Sequence, residues 1–185
     1  MSQENLKAAL IKTIESIKSN PATANVVFRA ETKLEDGVRC SAKVREFTPL
    51  VVDEPPELGG TNAAMNPVEL VLAALGTCQE IMYAAYAAVM GIPLEEVKVD
   101  VKGYLDLRGL FGLDDTVPPG YKRITFNTTI KSPADEATLL QLIKTVERHC
   151  PLLDILSRAQ EVSGAAIVNG KQAHSFAGTT YQAAA

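Results

Sequence analysis

The stretch LGGTNAAMNPVELVLAALGTCQEIMYAAYAAVMG, residues 58–91, governs the reading of the whole chain. Asn66 before Pro67 predicts a helix start. The Asn side chain can accept from a free N–H of the first turn, and proline lacks the N–H that would go unpaired there. Gly91 suits the left-handed stop, so one helix is expected over Pro67 to Met90. It is apolar on most sides, and such a helix has to be enclosed, here by strands and by a second chain. In front of it, Glu54-Pro55-Pro56-Glu57-Leu58-Gly59-Gly60 excludes helix and central strand, because the prolines remove donors and the glycines favour unusual dihedrals. An ordered loop is expected. A membrane span over Val68 to Met90 is disfavoured by Glu69, Thr77, Gln79 and Glu80, since intramembrane carboxylates are costly. A buried core helix explains the run better.

Upstream, Leu6, Leu10, Ile14 and Ile17 predict an amphipathic helix over residues 1–21 that stops at Asn20-Pro21. Val26-Val27-Phe28, the turn Glu35-Asp36-Gly37 and the alternating Val38 to Val44 predict a hairpin, and Leu50-Val51-Val52 a third strand. Downstream, Val97, Val99 and Val101, then Ile124, Phe126, Thr128 and Ile130, predict two half-exposed strands. Between them lies an insertion, residues 105–119, with a short helical look. Ser132-Pro133 is expected to open another helix with the inward stripe Leu139, Ile143, Val146 and Cys150, interrupted at Pro151. Short strands around residues 166–168 and 174–176 complete an α+β fold.

At 185 residues the chain fits one domain, 1–185, and its 46% hydrophobic and 22% charged content is that of a globular protein. A net charge of -4 offers no attraction for phosphate backbones or anionic lipid, so neither nucleic acid nor membrane is expected as a partner. The N-terminus lacks the basic start and unbroken apolar stretch of a signal peptide, which points to a cytoplasmic location. Two histidines, His149 and His174, make a zinc site or a Ser-His-Asp set a matter of coincidence. Neither metal nor cofactor is expected.

Any chemistry therefore falls to three cysteines, an odd number with no CxxC spacing. Cys78 lies mid-helix among apolar neighbours. Core packing would explain it, and reactivity would require a cation from another element to hold the thiolate. Cys150 before Pro151 would be the N-cap of a following helical turn, whose partial positive charge favours a thiolate. Cys40, in an edge-like hairpin strand, reads as filler, and His149 as a surface or capping residue. If Cys78 and Cys150 meet, the pair suits peroxide reduction. One thiolate attacks the O–O bond to give a sulfenic acid, and the other condenses with it to a disulfide before over-oxidation. An apolar lining would select organic hydroperoxides.

LGGTNAAMNPVELVLAALGTC (58–78) together with RHCPLLDIL (148–156) resembles the OsmC/Ohr family of osmotically inducible and organic hydroperoxide resistance proteins. The resemblance runs from about residue 25 to the C-terminus. It implies an intimate homodimer whose antiparallel sheets wrap around two central helices, and a thiol peroxidase reduced by a dithiol such as a lipoylated protein. By position Cys78 matches the peroxidatic cysteine and Cys150 the resolving one. The family's activating arginine comes from the early strands, where Arg39 is the best match and Arg45 and Arg29 are rivals. Its glutamate directly follows the Asn-Pro, but here Val68 stands there and Glu69 comes one place later. At about 100° per residue Glu69 falls on roughly the opposite face from Cys78, so it can help only if the first turn is distorted. The same fold would also serve a non-catalytic binder of a hydrophobic small molecule, or a thiol/disulfide or persulfide redox protein.

Overall fold

The computed structural model describes residues 2–177. Its axis is α2, Pro67–Met90. The Asn66 side chain accepts from the Glu69 N–H at 2.9 Å, and the Glu69 carboxylate accepts from the Asn66 N–H at 2.9 Å, so two donors at the helix start are satisfied reciprocally. Gly91, at φ 70°, ends the helix in the left-handed conformation.

Three layers of structure meet this axis. The antiparallel pair β4, Glu96–Leu105, and β5, Tyr121–Lys131, covers one side, with Val99 opposite Thr128 and Val101 opposite Phe126. On another side lie α4, Glu136–His149, and α5, Pro151–Ser157. The third neighbour is α1, Gln3–Ser19, whose Gln3 amide donates to the Ile92 carbonyl at 2.6 Å. Tyr83, Ala87, Ile92, Leu142 and Val146 form the core between α2, the turn after it and α4. Each large apolar side chain enclosed there contributes about 1.5–3 kcal/mol. By length and composition α2 could cross a membrane, but here it packs against α1, β4, α4 and α5.

The remaining strands stand apart from that core. β1, Glu31–Asp36, β2, Arg39–Lys43, and β3, Leu50–Val52, form an antiparallel sheet in the order β1-β2-β3, and β6, Ser163–Val168, pairs with β7, Lys171–Ala177. β1, β6 and β7 are exposed on both faces. Along α2 itself, Ile81 is 66% exposed. Within one chain the expected enclosure of this helix is therefore incomplete.

Three local expectations are corrected. Residues 26–28 are not a strand: β2 ends at Lys43 opposite Glu31, which leaves them no partner to pair with. Cys40 sits on the central strand of its sheet, not on an edge, because β3 folds back and pairs Val52 with it. The helix expected from Ser132-Pro133 begins at Glu136, since Asp135 accepts from the Thr138 N–H at 3.0 Å, whereas the Ser132 hydroxyl donates to the Pro93 carbonyl. The insertion holds a single helical turn, α3, Leu107–Leu110, anchored by Asp106, whose carboxylate pairs with Arg108 and Lys122.

The loop leading into α2 is organised by Asp53, which is 1% exposed. One of its carboxylate oxygens accepts from the Thr61 hydroxyl at 2.6 Å, the Thr61 N–H at 3.0 Å and the Ala63 N–H at 3.0 Å. The bonds from Thr61 and then Ala63 lower its pKa from 3.8 to about 2 against the opposing effect of burial. A depressed folded-state value stabilises the fold above the unfolded value, and that contribution is lost as pH falls through the folded one. Urea midpoints of the wild type should therefore fall as the pH drops from about 4 to about 2. Asp53→Asn should start lower at neutral pH and fall less steeply through that window. An identical slope in both proteins would remove Asp53 as a source of the acid sensitivity.

Candidate active site

Cys78 lies just over three turns into α2, past the reach of the helix N-terminus. Leu75, one turn earlier, is buried, whereas Cys78 is half-buried and borders the exposed side of the helix that carries Ile81. Facing it is Cys150, which caps two helices at once. Its N–H donates to the Val146 carbonyl, closing α4, and its carbonyl accepts from the Asp154 N–H, opening α5. Pro151 occupies the first position of α5, where its missing N–H leaves nothing unpaired. The chain bends there without losing backbone bonds, and the bend turns the Cys150 side chain inward.

The two sulfurs, 72 residues apart in sequence, lie 3.6 Å from one another, close enough for the Cys150 thiol to donate to Cys78. Cys150 is 1% exposed. Burial pushes its thiol up from 9.0, the neighbouring Cys78 sulfur adds to that, and the N–H groups of Leu153 and Leu152 pull the other way. The expectation that the α5 terminus favours a thiolate at Cys150 is thus reversed: loss of solvation outweighs two backbone donors on a helix of 7 residues. At neutral pH Cys150 is a protonated thiol.

The other expected residues are placed elsewhere within the chain. Arg39 opens β2 and pairs with Asp36 at 3.5 Å; Arg29 pairs with Glu31 at 3.8 Å, and Arg45 stacks over the Phe47 ring at 4.4 Å. None of the three contacts Cys78. Glu69 is engaged in the helix cap, and the first turn is regular. His149 donates through Nδ1–H to the Thr145 carbonyl at 2.8 Å, and its ring lies tilted against that of Tyr86 at 5.5 Å. Among the described residues no group of three or more His, Cys, Asp or Glu side chains could hold a metal ion.

A cleft of about 250 Å³ lies one helical turn from each cysteine, lined by Leu75, Ile124, Phe126, Leu153 and Leu156, with Lys122 and Arg123 also on its wall. Arg123 stacks over Tyr104 at 4.0 Å. Residue-by-residue reading missed a set of buried polar groups next to the pair. Gln79 is 1% exposed and Tyr83 2%, and both face β5, where the Thr128 hydroxyl donates to the Gln79 carbonyl oxygen at 3.4 Å. The signal was present as a glutamine in an apolar helical run. It also missed Tyr121, whose hydroxyl donates to the Val68 carbonyl at 3.0 Å and ties β5 to the first turn of α2.

The OsmC-like protein family matches residues 60–163, a span that holds α2, both facing cysteines and the β4–β5 pair. No curated protein sequence matches the chain. Among solved structures, an OsmC-like protein from Mycoplasma pneumoniae superposes with a TM-score of 0.60 at 19% identity, over 71% of this chain and 88% of that one. An organic hydroperoxide resistance protein OsmC from Legionella pneumophila gives 0.55 at 21% identity, covering 72% and 92%. An organic hydroperoxide resistance protein from Elizabethkingia anophelis gives 0.53 at 18%, covering 72% and 89%. These likenesses extend the match to the small antiparallel sheets and helices, and the family match spans more than half of the sequence: the chain belongs to the OsmC-like family.

Proposed function

We propose that this protein is a thiol-dependent peroxidase of organic hydroperoxides, with Cys78 as the attacking thiol and Cys150 as the resolving one. The observation that carries the reading is the 3.6 Å contact between two sulfurs from different core helices. The Cys78 thiolate attacks the peroxide O–O bond, giving a Cys78 sulfenic acid and an alcohol. Cys150 then attacks that sulfur. The S–S bond forms, the S–O bond breaks, and the Cys150 proton leaves with the hydroxide as water. A dithiol such as a lipoylated protein reduces the disulfide and is itself oxidised. The apolar walls of the cleft favour a hydrophobic hydroperoxide over hydrogen peroxide.

The working unit is a homodimer. Strands exposed on both faces and the bare side of α2 support this, since a second copy's first sheet could cover the stripe beside Cys78. That sheet carries Arg39, and docking would bring its guanidinium to the thiolate.

The engagement of Arg39 with Asp36, and of Glu69 with the helix cap, favours a second reading. In it the thiols pack and the cleft holds a hydrophobic ligand. Purified protein with dihydrolipoamide separates the two. The peroxidase, running as a dimer in sedimentation, should consume cumene hydroperoxide faster than hydrogen peroxide. No consumption of either, with both thiols unreactive until denaturation, leaves the binding reading.

A further inference from the structure

Leu142 and Val146 turn one side of α4 to the core. On the opposite side Leu140, Lys144, Arg148 and His149 line an open groove of about 380 Å³ that runs along the helix. Leu140 is 48% exposed in it. At the far end the His149 ring lies against Tyr86 of α2 at 5.5 Å, so the groove finishes where α4 meets the helix that carries Cys78. Cys150 is the next residue, and its N–H closes α4 on the Val146 carbonyl at 2.8 Å.

The cations on this face have no partners. Arg29, Arg39, Arg108 and Arg158 pair with carboxylates, and Arg45 and Arg123 stack on aromatic rings. Among the described residues Arg148 is the one arginine with neither kind of contact, and Lys144, one turn before it on the same face, has no ion pair either. Two like charges at this spacing repel and weaken a helix. The negative pole of α4 compensates Arg148 and His149, but it acts over the last turn and does not reach Lys144. Asp135 and Glu136 stand at the other end of the helix. Folding therefore gives no reason for the pair, and a chain of net charge -4 shows a positive face beside its thiols.

Two cations beside an exposed leucine fit a protein surface on which carboxylates surround an apolar side chain, whereas a small anion has no use for the leucine. We propose that this face of α4 docks the acidic surface of the dithiol-bearing protein that reduces the Cys78–Cys150 disulfide. The inference rests on the peroxidase reading, which requires such a reductant. Once the partner is docked, its first thiolate attacks Cys78, the more reachable sulfur. The S–S bond breaks, Cys150 leaves and takes a proton, and a mixed disulfide forms. The partner's second thiol then attacks the partner's own sulfur in that mixed disulfide, releases Cys78 and closes a cyclic disulfide. Two electrons and two protons pass from the dithiol to the cysteines.

The test measures turnover of cumene hydroperoxide by the full-length protein with two reductants, free dihydrolipoamide and a dihydrolipoyl protein domain of net negative charge. Lys144→Glu with Arg148→Glu should lower kcat/KM for the domain on the order of tenfold at low ionic strength, a loss that shrinks as salt is added. The same variant should leave kcat/KM for dihydrolipoamide unchanged. Lys144→Gln with Arg148→Gln, which removes the charges without reversing them, should give a smaller loss. A domain reaction as fast in the charge-reversed protein as in the wild type overturns the inference. So does an equal loss with both reductants, which would put the effect at the disulfide itself. A variant that sediments as a monomer where the wild type is a dimer overturns it too, since the face would then belong to the subunit interface. If the wild type turns over with neither reductant, the peroxidase reading falls. Fluorescence anisotropy of the labelled domain then reads docking without turnover: weaker binding by the variant upholds the docking site, and equal binding overturns it.

Discussion

Cys150→Ser protein mixed with excess cumene hydroperoxide is expected to turn over once per chain, spend a further equivalent on over-oxidation of Cys78 and then stop, and Cys78→Ser to reduce none. The asymmetry follows from where each sulfur sits. Cys78 borders the exposed side of α2 and is reachable, whereas Cys150 is enclosed and protonated, so only Cys78 can meet the peroxide first. Removing it deletes the nucleophile, and steady-state turnover with dihydrolipoamide should fall on the order of a thousandfold or more. Removing Cys150 leaves the first step intact. The sulfenic acid then has no thiol at 3.6 Å to condense with, and a second peroxide carries Cys78 on to the sulfinic acid, which dithiols do not reverse. Mass spectrometry of the Cys150→Ser protein should find that product at Cys78. The roles would be exchanged if Cys78→Ser gave the single turnover, and the disulfide would be dispensable if Cys150→Ser turned over like the wild type.

The parts of this arrangement that sequence made legible are those governed by neighbours in the chain. Asn66, Pro67 and Gly91 fixed both ends of α2 because capping is a matter of three or four residues, and the Cys150-Pro151 bend was visible for the same reason. Glu69 was foreseen to be turned away from Cys78, and the capping box supplies the cause. Properties that depend on enclosure were not legible. Cys150 looked like a thiolate site because its own helix start is close at hand, but its protonation is set by burial, to which the Cys78 sulfur from 72 residues away adds. Cys40 looked like an edge residue until β3 folded back beside it. Gln79 could be noticed as out of place among Ala and Leu, but its consequence depends on Thr128 from β5, 49 residues later. The contact between the two sulfurs belongs to the same class: each cysteine's helix could be read, the crossing of the helices could not.

Gly60→Ala should be the most damaging Gly→Ala change among the described residues, well beyond Gly59→Ala at the adjacent position. Gly59 sits at φ 84°, a left-handed conformation in which an alanine has open space and costs about 1–2 kcal/mol. Gly60 fails for a different reason. A Cβ there would stand 1.9 Å from the Glu54 carbonyl oxygen and 2.4 Å from its carbon, and backbone atoms cannot rotate aside. That same carbonyl accepts from the Asn62 N–H at 3.0 Å, and Glu54 also receives the Asn66 amide through its side chain at 3.2 Å. Pushing Glu54 away thus strains the loop, loosens Asp53 from Thr61 and Ala63, and disturbs the cap that starts the helix bearing Cys78. The cost is on the order of 3 kcal/mol or more. At about 2–4 °C per kcal/mol for a domain of this size, Gly60→Ala should melt roughly 10 °C lower and Gly59→Ala only a few degrees. Thermal unfolding by circular dichroism reads the ranking directly. Equal shifts would mean that the approach of residue 60 to Glu54 is not what shapes the loop, and that the start of α2 is held by its own cap alone.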